Sequence, residues 1–218
     1  MENVYRYIKK VHDAKNTISN MICNSENYED VIRKYKDVHK ESILHMIRCS
    51  ENAKYFAMYL GFDSDKVELI SECALLHDIG KLAIDPKILY KEGKLTEIEW
   101  NIIKSHPDVE GLENTKLDIA IKDSIYYHHH KVSDYFKNDI HYLVKLVTLL
   151  DSFDAMSYRR CYKRTVLSVD EILNEIEKNI GNQFDEYYGR KFIRYIESDF
   201  FNSLCFYGKN VYMNKKGA

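Results

Sequence analysis

Apolar residues recur at intervals of three and four along most of the chain, the spacing that turns one face of a helix toward a core. Ile43, Ile47, Phe56 and Leu60 mark one such helix, and Gly61 ends it with a residue suited to a left-handed C-terminal turn. Asp65 with Glu68 predicts a capping box for the next helix, which runs through Ile70, Ala74 and Leu75 to His77. Thr96 with Glu99 repeats that signal ahead of Ile102 and Ile103. Ser168 with Glu171 repeats it ahead of Ile172, Leu173 and Ile176, and Gly181 closes that helix. The same periodicity predicts helices from Leu117 to His130, from Ile140 to Ser157 and from Phe184 to Tyr207. Two prolines and eight glycines in 218 residues leave little room for many short strands, so the fold class is all-α. The connections are short and polar, without a Gly/Ser-rich linker or an internal repeat. One helical bundle is therefore expected over 38–213, with a helical extension at 1–37 and a frayed tail at 214–218.

Composition narrows the function classes. A formal net charge of −2 gives no electrostatic case for a nucleic-acid polymer as partner. The polar start, Met1 to Lys10, lacks a signal-peptide pattern, and the longest apolar runs, such as Leu146 to Leu150, are too short to span a bilayer. Five widely spaced cysteines without a CxxC pair fit reduced thiols, so a cytoplasmic protein with no membrane partner is expected. The 18 tyrosines read as helix surface and core filling rather than a platform for stacked bases.

The candidate chemistry lies in histidines and carboxylates. His77 and Asp78 end an apolar helix and offer one nitrogen and one anionic oxygen ligand side by side, the Asp able to bridge two ions. Lys81 lies one turn on, within reach of a phosphate held there. Glu41 and His45 share one helix face at a spacing of four. His106, His128, His129 and Asp151 each fall near the end of, or within, an apolar-periodic helix. The set Glu41, His45, His77, Asp78, His106, His128, His129 and Asp151 contains oxygen and nitrogen donors and no thiolate. Iron, manganese or another octahedral metal suits it better than structural zinc. His130 and His141 are weaker candidates, His12 and His39 read as ordinary, and Asp154 reads as a residue that orients a neighbour rather than a ligand.

These residues stand in motifs that resemble the HD phosphohydrolase superfamily, and within it the HD-GYP branch, over residues 41 to 190. Glu41 and His45 resemble the opening ExxxH, and LLHDIGKLAIDPKIL (75–89) the HDxGK segment. KEGKLTEIEWNIIKSHP (91–107) resembles the segment that ends on a ligand histidine, and His128-His129 the paired ligands. DSFDAMSYRRCYKR (151–164) resembles the DxFDAL…RxY stretch, and GNQFD (181–185) the GTQFD turn. The resemblance implies two or three divalent ions, iron or manganese, at the eight positions above. It also implies a small nucleotide substrate, cyclic di-GMP in most members, cut by a metal-activated hydroxide. Asp78 and Lys81 would then be catalytic, and Lys81, Lys145 and Arg160 would face the substrate.

The chain departs from the branch at HHHKVSDYFKNDIHYL (128–143), where His130 replaces a glutamate and the DGxGYP loop is missing. Lys145 stands where an arginine is usual, keeping the charge without bidentate geometry. Two rivals follow. One is an HD-type phosphohydrolase for another nucleotide or phosphoester. The other is a non-catalytic binding module whose metals only hold helices together.

Overall fold

A computed structural model describes residues 2–25, 28–158 and 167–206. Among them the chain is all-α, as the periodicity predicts, with an isolated bridge between Ile180 and Phe184 as its one β feature. The helices are α1 (Glu2–Ser25), α2 (Glu29–Tyr35), α3 (Lys40–Tyr59), α4 (Ser64–Leu76), α5 (Pro86–Leu89) and α6 (Glu97–Lys104). They continue as α7 (Ile119–Tyr127), α8 (Val132–Asn138), α9 (Val144–Ser157), α10 (Val169–Asn179), α11 (Glu186–Ile196) and α12 (Asp199–Phe206).

Helices α3, α4, α7 and α9 form the centre. α3 packs most extensively on α4, α4 also packs on α7 and α9, and α9 packs on α3. The apolar face of α3, built from Ile43, Met46, Cys49, Ala53 and Phe56, is buried, and it meets Ile70, Cys73 and Leu76 of α4 in one continuous core. Its C-terminus closes as a Schellman turn. Gly61 is left-handed at φ 77°, its N–H donates to Met58 O at 3.0 Å, and Phe62 N–H donates to Ala57 O at 3.1 Å.

Two of the three expected capping boxes form, Thr96 with Glu99 on α6 and Ser168 with Glu171 on α10. The third does not. α4 is capped by Asp63, whose carboxylate accepts from Lys66 N–H at 2.9 Å. Asp63 is extended at φ −65°, ψ 165°, whereas Asp65 already lies in the first helical turn and cannot reach forward as a cap.

The helix expected over Phe184–Tyr207 is split. Ser198 stops α11 and its hydroxyl accepts from Phe201 N–H at 3.2 Å, so it starts α12 instead. Asp118 caps α7 by accepting from Ala120 N–H at 2.8 Å, and α7 ends at Tyr127 rather than His130. The segment that departs from the family motif folds as α8, and Tyr135, Ile140 and Val144 make a small core of their own beside it. Residues 159–166 and 214–218, with Arg160 and the expected tail, lie outside the described residues. No helix among the described residues is long and apolar enough to cross a membrane.

Candidate metal centre

Five segments deliver side chains to one end of the central bundle. α3 carries Glu41 in its first turn and His45 one turn later. His77 caps α4, and Asp78 precedes a 3-10 turn, Ile79–Ala83, that holds Lys81. His106 follows α6, His128 caps α7 with His129 next to it, and Asp151 sits on α9.

Asp78 is the hub and is fully buried. Its Oδ2 lies 3.3 Å from His45 Nε2, 3.4 Å from His77 Nε2 and 2.5 Å from the Lys81 ammonium. Its Oδ1 lies 3.1 Å from His106 Nε2 and 3.6 Å from His128 Nε2. Asp151 joins the first side, with Oδ1 at 3.1 Å from His45 Nε2 and 3.7 Å from His77 Nε2. On the other side His106 Nε2 is 3.2 Å from both His128 Nε2 and His129 Nε2. The oxygen- and nitrogen-bearing residues thus fall into two groups, His45–His77–Asp78–Asp151 and His106–His128–His129, with Asp78 between them.

The far ring nitrogens explain the orientation. Nδ1 of His77, His106 and His128 donates to the carbonyls of Ala74, Ile103 and Ser124 at 2.8, 2.8 and 2.9 Å. Each ring therefore turns its Nε2 inward. His77 Nε2 and Asp78 Oδ1 are buried with no hydrogen-bond partner. Buried lone pairs without a hydrogen-bond partner are unfavourable, and a cation between them removes that cost. Two nitrogens bound side by side to one ion at about 2.1 Å each stand about 3.0 Å apart, close to the separation seen here. The donor set fits divalent metal.

Electrostatics points the same way. Burial pushes the Asp78 carboxyl up, but Lys81, His77 and His106 override it and hold it well below the carboxylate range. Asp151 behaves alike, with His45 and His77 overriding burial. Burial, aided by neighbouring imidazoles, holds His128 well below its ordinary value and His129 down to about 4, so both rings keep their lone pairs at neutral pH. Burial also opposes charge on His77, but Asp78 and Asp151 win and lift it to about 8. This half of the site attracts positive charge.

Asp154 orients a neighbour, as expected. Fully buried, it accepts from His45 Nδ1 at 2.5 Å and takes a two-pronged contact from Arg48 at 2.7 and 2.8 Å. Sequence reasoning missed Arg48, whose spacing of three from His45 on the inner face of α3 was the available signal. It also missed Cys49, whose thiol lies 3.5 Å from His45 Nδ1 and groups with His45 and His77. Burial pushes that thiol up to about 11, so it stays protonated at neutral pH.

A cavity of about 780 Å³ opens beside His45 and Asp78, walled also by Glu41, Lys81, Tyr90 and Trp100 among others. Glu41 faces this cavity but is not a member of either ligand group. Lys145 is not among the lining residues. Its ammonium pairs with Asp185 at 2.9 Å, and Gln183 donates to Ser152 Oγ at 3.2 Å. Those two contacts dock the GNQFD turn on α9, on either side of Asp151 in sequence. His39 is buried beside Tyr90 and His141 N–H donates to Asp123 at 2.8 Å.

The HD domain family model matches residues 43–156, just over half of the chain. The chain belongs to the HD domain family. Among relatives, it is 30% identical over 148 residues to the cyclic di-GMP phosphodiesterase response regulator RpfG of Xanthomonas campestris, covering 63% of this chain and 39% of that protein. It is 33% identical over 131 residues to the 3'3'-cGAMP-specific phosphodiesterase 3 of Vibrio cholerae, covering 56% and 28%. With a cyclic di-GMP phosphodiesterase of Thermotoga maritima it shares 30% over 166 residues, covering 71% and 44%. The chain thus spans less than half the length of each of these relatives. The matched stretch holds His45, His77, Asp78, His106, His128, His129 and Asp151, so the HD domain contains both ligand groups.

Proposed function

We propose that this chain is a metal-dependent phosphodiesterase that opens a cyclic dinucleotide, cyclic di-GMP in the first instance. The observation that carries the reading is Asp78, a buried carboxylate whose two oxygens face two separate imidazole groups at the wall of a roomy cavity. The printed activities of the relatives, on cyclic di-GMP and 3'3'-cGAMP, support the substrate class. The reading assigns the HD unit to 38–213, with 1–37 as an extension packed on it, and a cytoplasmic location to match a nucleotide substrate.

In this reading His45, His77, Asp78 and Asp151 hold one ion, and His106, His128 and His129 share Asp78 to hold another. Glu41, one turn before His45, is available to a third. Iron or manganese suits this thiolate-free set. Bound divalent ions supply charge neutralisation at phosphoryl oxygens and a lowered pKa for water. The chain's own groups do the rest. Lys81, at the cavity wall, donates to a phosphate oxygen, while Lys145, which does not line the cavity, pairs with Asp185 and holds the GNQFD turn on α9. Arg160 is assigned to the same phosphates. Trp100 and Tyr90 give the cavity flat faces on which bases stack. Asp154 holds His45 in the tautomer that keeps Nε2 free for metal.

The short helix α8, standing where the branch has its substrate loop, favours a second reading in which another phosphoester is the substrate. Anaerobically purified, metal-loaded protein is incubated with cyclic di-GMP, 3'3'-cGAMP, a linear diguanylate and nucleoside monophosphates. Preference for a cyclic ring supports the first reading, and turnover of linear or mononucleotide substrates alone supports the second. Two or more bound ions with no turnover of any of them would sink both and leave a metal-stabilised binding module.

A further inference from the structure

The segment that carries His106 is held from both sides, and one side is the N-terminal helix. Lys15 of α1 is only 5% exposed, and its ammonium donates to the carbonyl of Ser105 and, at 3.2 Å, to Ser105 Oγ. One turn on, the buried Ser19 hydroxyl donates to Glu110 O at 2.6 Å. These carbonyls flank His106, one residue before it and four after. From the opposite side the backbone of Gly80 approaches so closely that a Cβ there would lie 2.0 Å from His106 O. α1 also packs against the Ile79–Ala83 turn, and Val11 shares a small core with Ile84, Leu89 and Ile102.

Burying an ammonium costs solvation that a methionine of similar length would not lose. What the amine adds is direction, because it fixes a main-chain carbonyl next to a ring whose Nε2 must meet those of His128 and His129. The contact is also not tightly filled. A cavity of about 600 Å³ lies along it, lined by Val11, Lys15, Ile102, Asp108, Val109 and Tyr126, while Ile18 and Ile22 anchor the same helix in the main core.

We propose that α1 is a positioning element for one half of the metal centre. Lys15 and Ser19 set the His106 segment, and movement of α1 loosens the His106–His128–His129 group while His45–His77–Asp78–Asp151 stays intact. The inference rests on the metal reading above. It makes the N-terminal helix a determinant of occupancy in one half of the centre.

The test uses the full chain with Lys15→Met, Ser19→Ala and Lys15→Arg, titrated with Co²⁺ and followed by ligand-field absorption and ion count. Wild type binds at least two classes of ion. Lys15→Met and Ser19→Ala weaken one class about 10-fold and leave the other unchanged, and Lys15→Arg, which keeps donors at that position, restores it. Equal affinities for both classes in all variants overturn the inference, as does parallel weakening of both. If Lys15→Met does not fold, Ser19→Ala makes the same discrimination. A wild type that binds fewer than two ions overturns instead the metal reading beneath it.

Discussion

His106 and His128 turn their Nε2 atoms toward each other at 3.2 Å, while the Nδ1 of each serves a main-chain carbonyl. With the ring protons held at Nδ1, the facing nitrogens of these two buried rings present lone pairs to each other. The geometry is therefore unfavourable in the bare protein and favourable around a cation. Binding and stability are coupled for that reason.

Stripping metal with a chelator should lower thermal stability. A ligand at 100 times its dissociation constant contributes about 2.7 kcal/mol. For a chain of this size that corresponds to roughly 5–10 °C in Tm, recoverable by adding back Mn²⁺ or Fe²⁺ anaerobically. Calorimetry of stripped and reloaded protein checks this, and identical transitions would argue against a coordinated ion.

Asp78→Ala should remove more than one ion, because the two oxygens of Asp78 face different histidine groups. His129→Ala touches only one group and should spare the other. Ion counts per chain distinguish the two variants. Full stoichiometry in Asp78→Ala would contradict its place as the shared ligand.

Gly80→Ala should destabilise by about 1–3 kcal/mol, since the added methyl would sit 2.0 Å from His106 O and 2.9 Å from Val109 Cγ2. The backbone of the His106 segment must then move, so metal affinity at that group should fall as well. Urea unfolding and Co²⁺ titration report the two effects separately.

Asp154→Ala leaves the buried Arg48 guanidinium without its carboxylate, a change that typically costs about 3–5 kcal/mol. His45 loses its Nδ1 acceptor in the same step, which should weaken metal binding on that side by about 10-fold or more. Denaturant midpoints and metal titration check both parts.

Glu99 gives a pH dependence with a definite sign. Bonds from Lys91 and from the Thr96 backbone hold its carboxyl down at about 2, against an ordinary value of 4.5. Its contribution is complete above 4.5 and disappears as pH falls toward 2. Glu99→Gln should flatten the fall of the urea midpoint across that window and leave the curve near pH 7 parallel to wild type.

Much of this was legible in the chain. Thr96–Glu99 and Ser168–Glu171 read correctly because a capping box involves residues three apart, whose contact depends on little else. Asp65 misled because Asp63, placed by the Schellman turn at Gly61, reached the free N–H groups first. Ser198 split the last helix because a serine hydroxyl competes for backbone groups wherever the chain is free to bend. Residue type and helix-end position also brought out His45, His77, Asp78, His106, His128, His129 and Asp151, with Glu41, which faces the cavity outside these groups, and Asp154 as a residue that orients His45.

What the sequence determined by itself was the inventory: an all-α chain, histidine and carboxylate donors, and helix ends on which each of these donors falls. Only the tertiary structure decided which lone pairs meet. The split of the candidate ligand atoms into two groups about Asp78, the Arg48 clamp on Asp154 and the Lys15 hold on Ser105 all join segments far apart in the chain. Their distances depend on how α1, α3, α4, α7 and α9 pack, and helical periodicity fixes which face is buried without fixing what it is buried against.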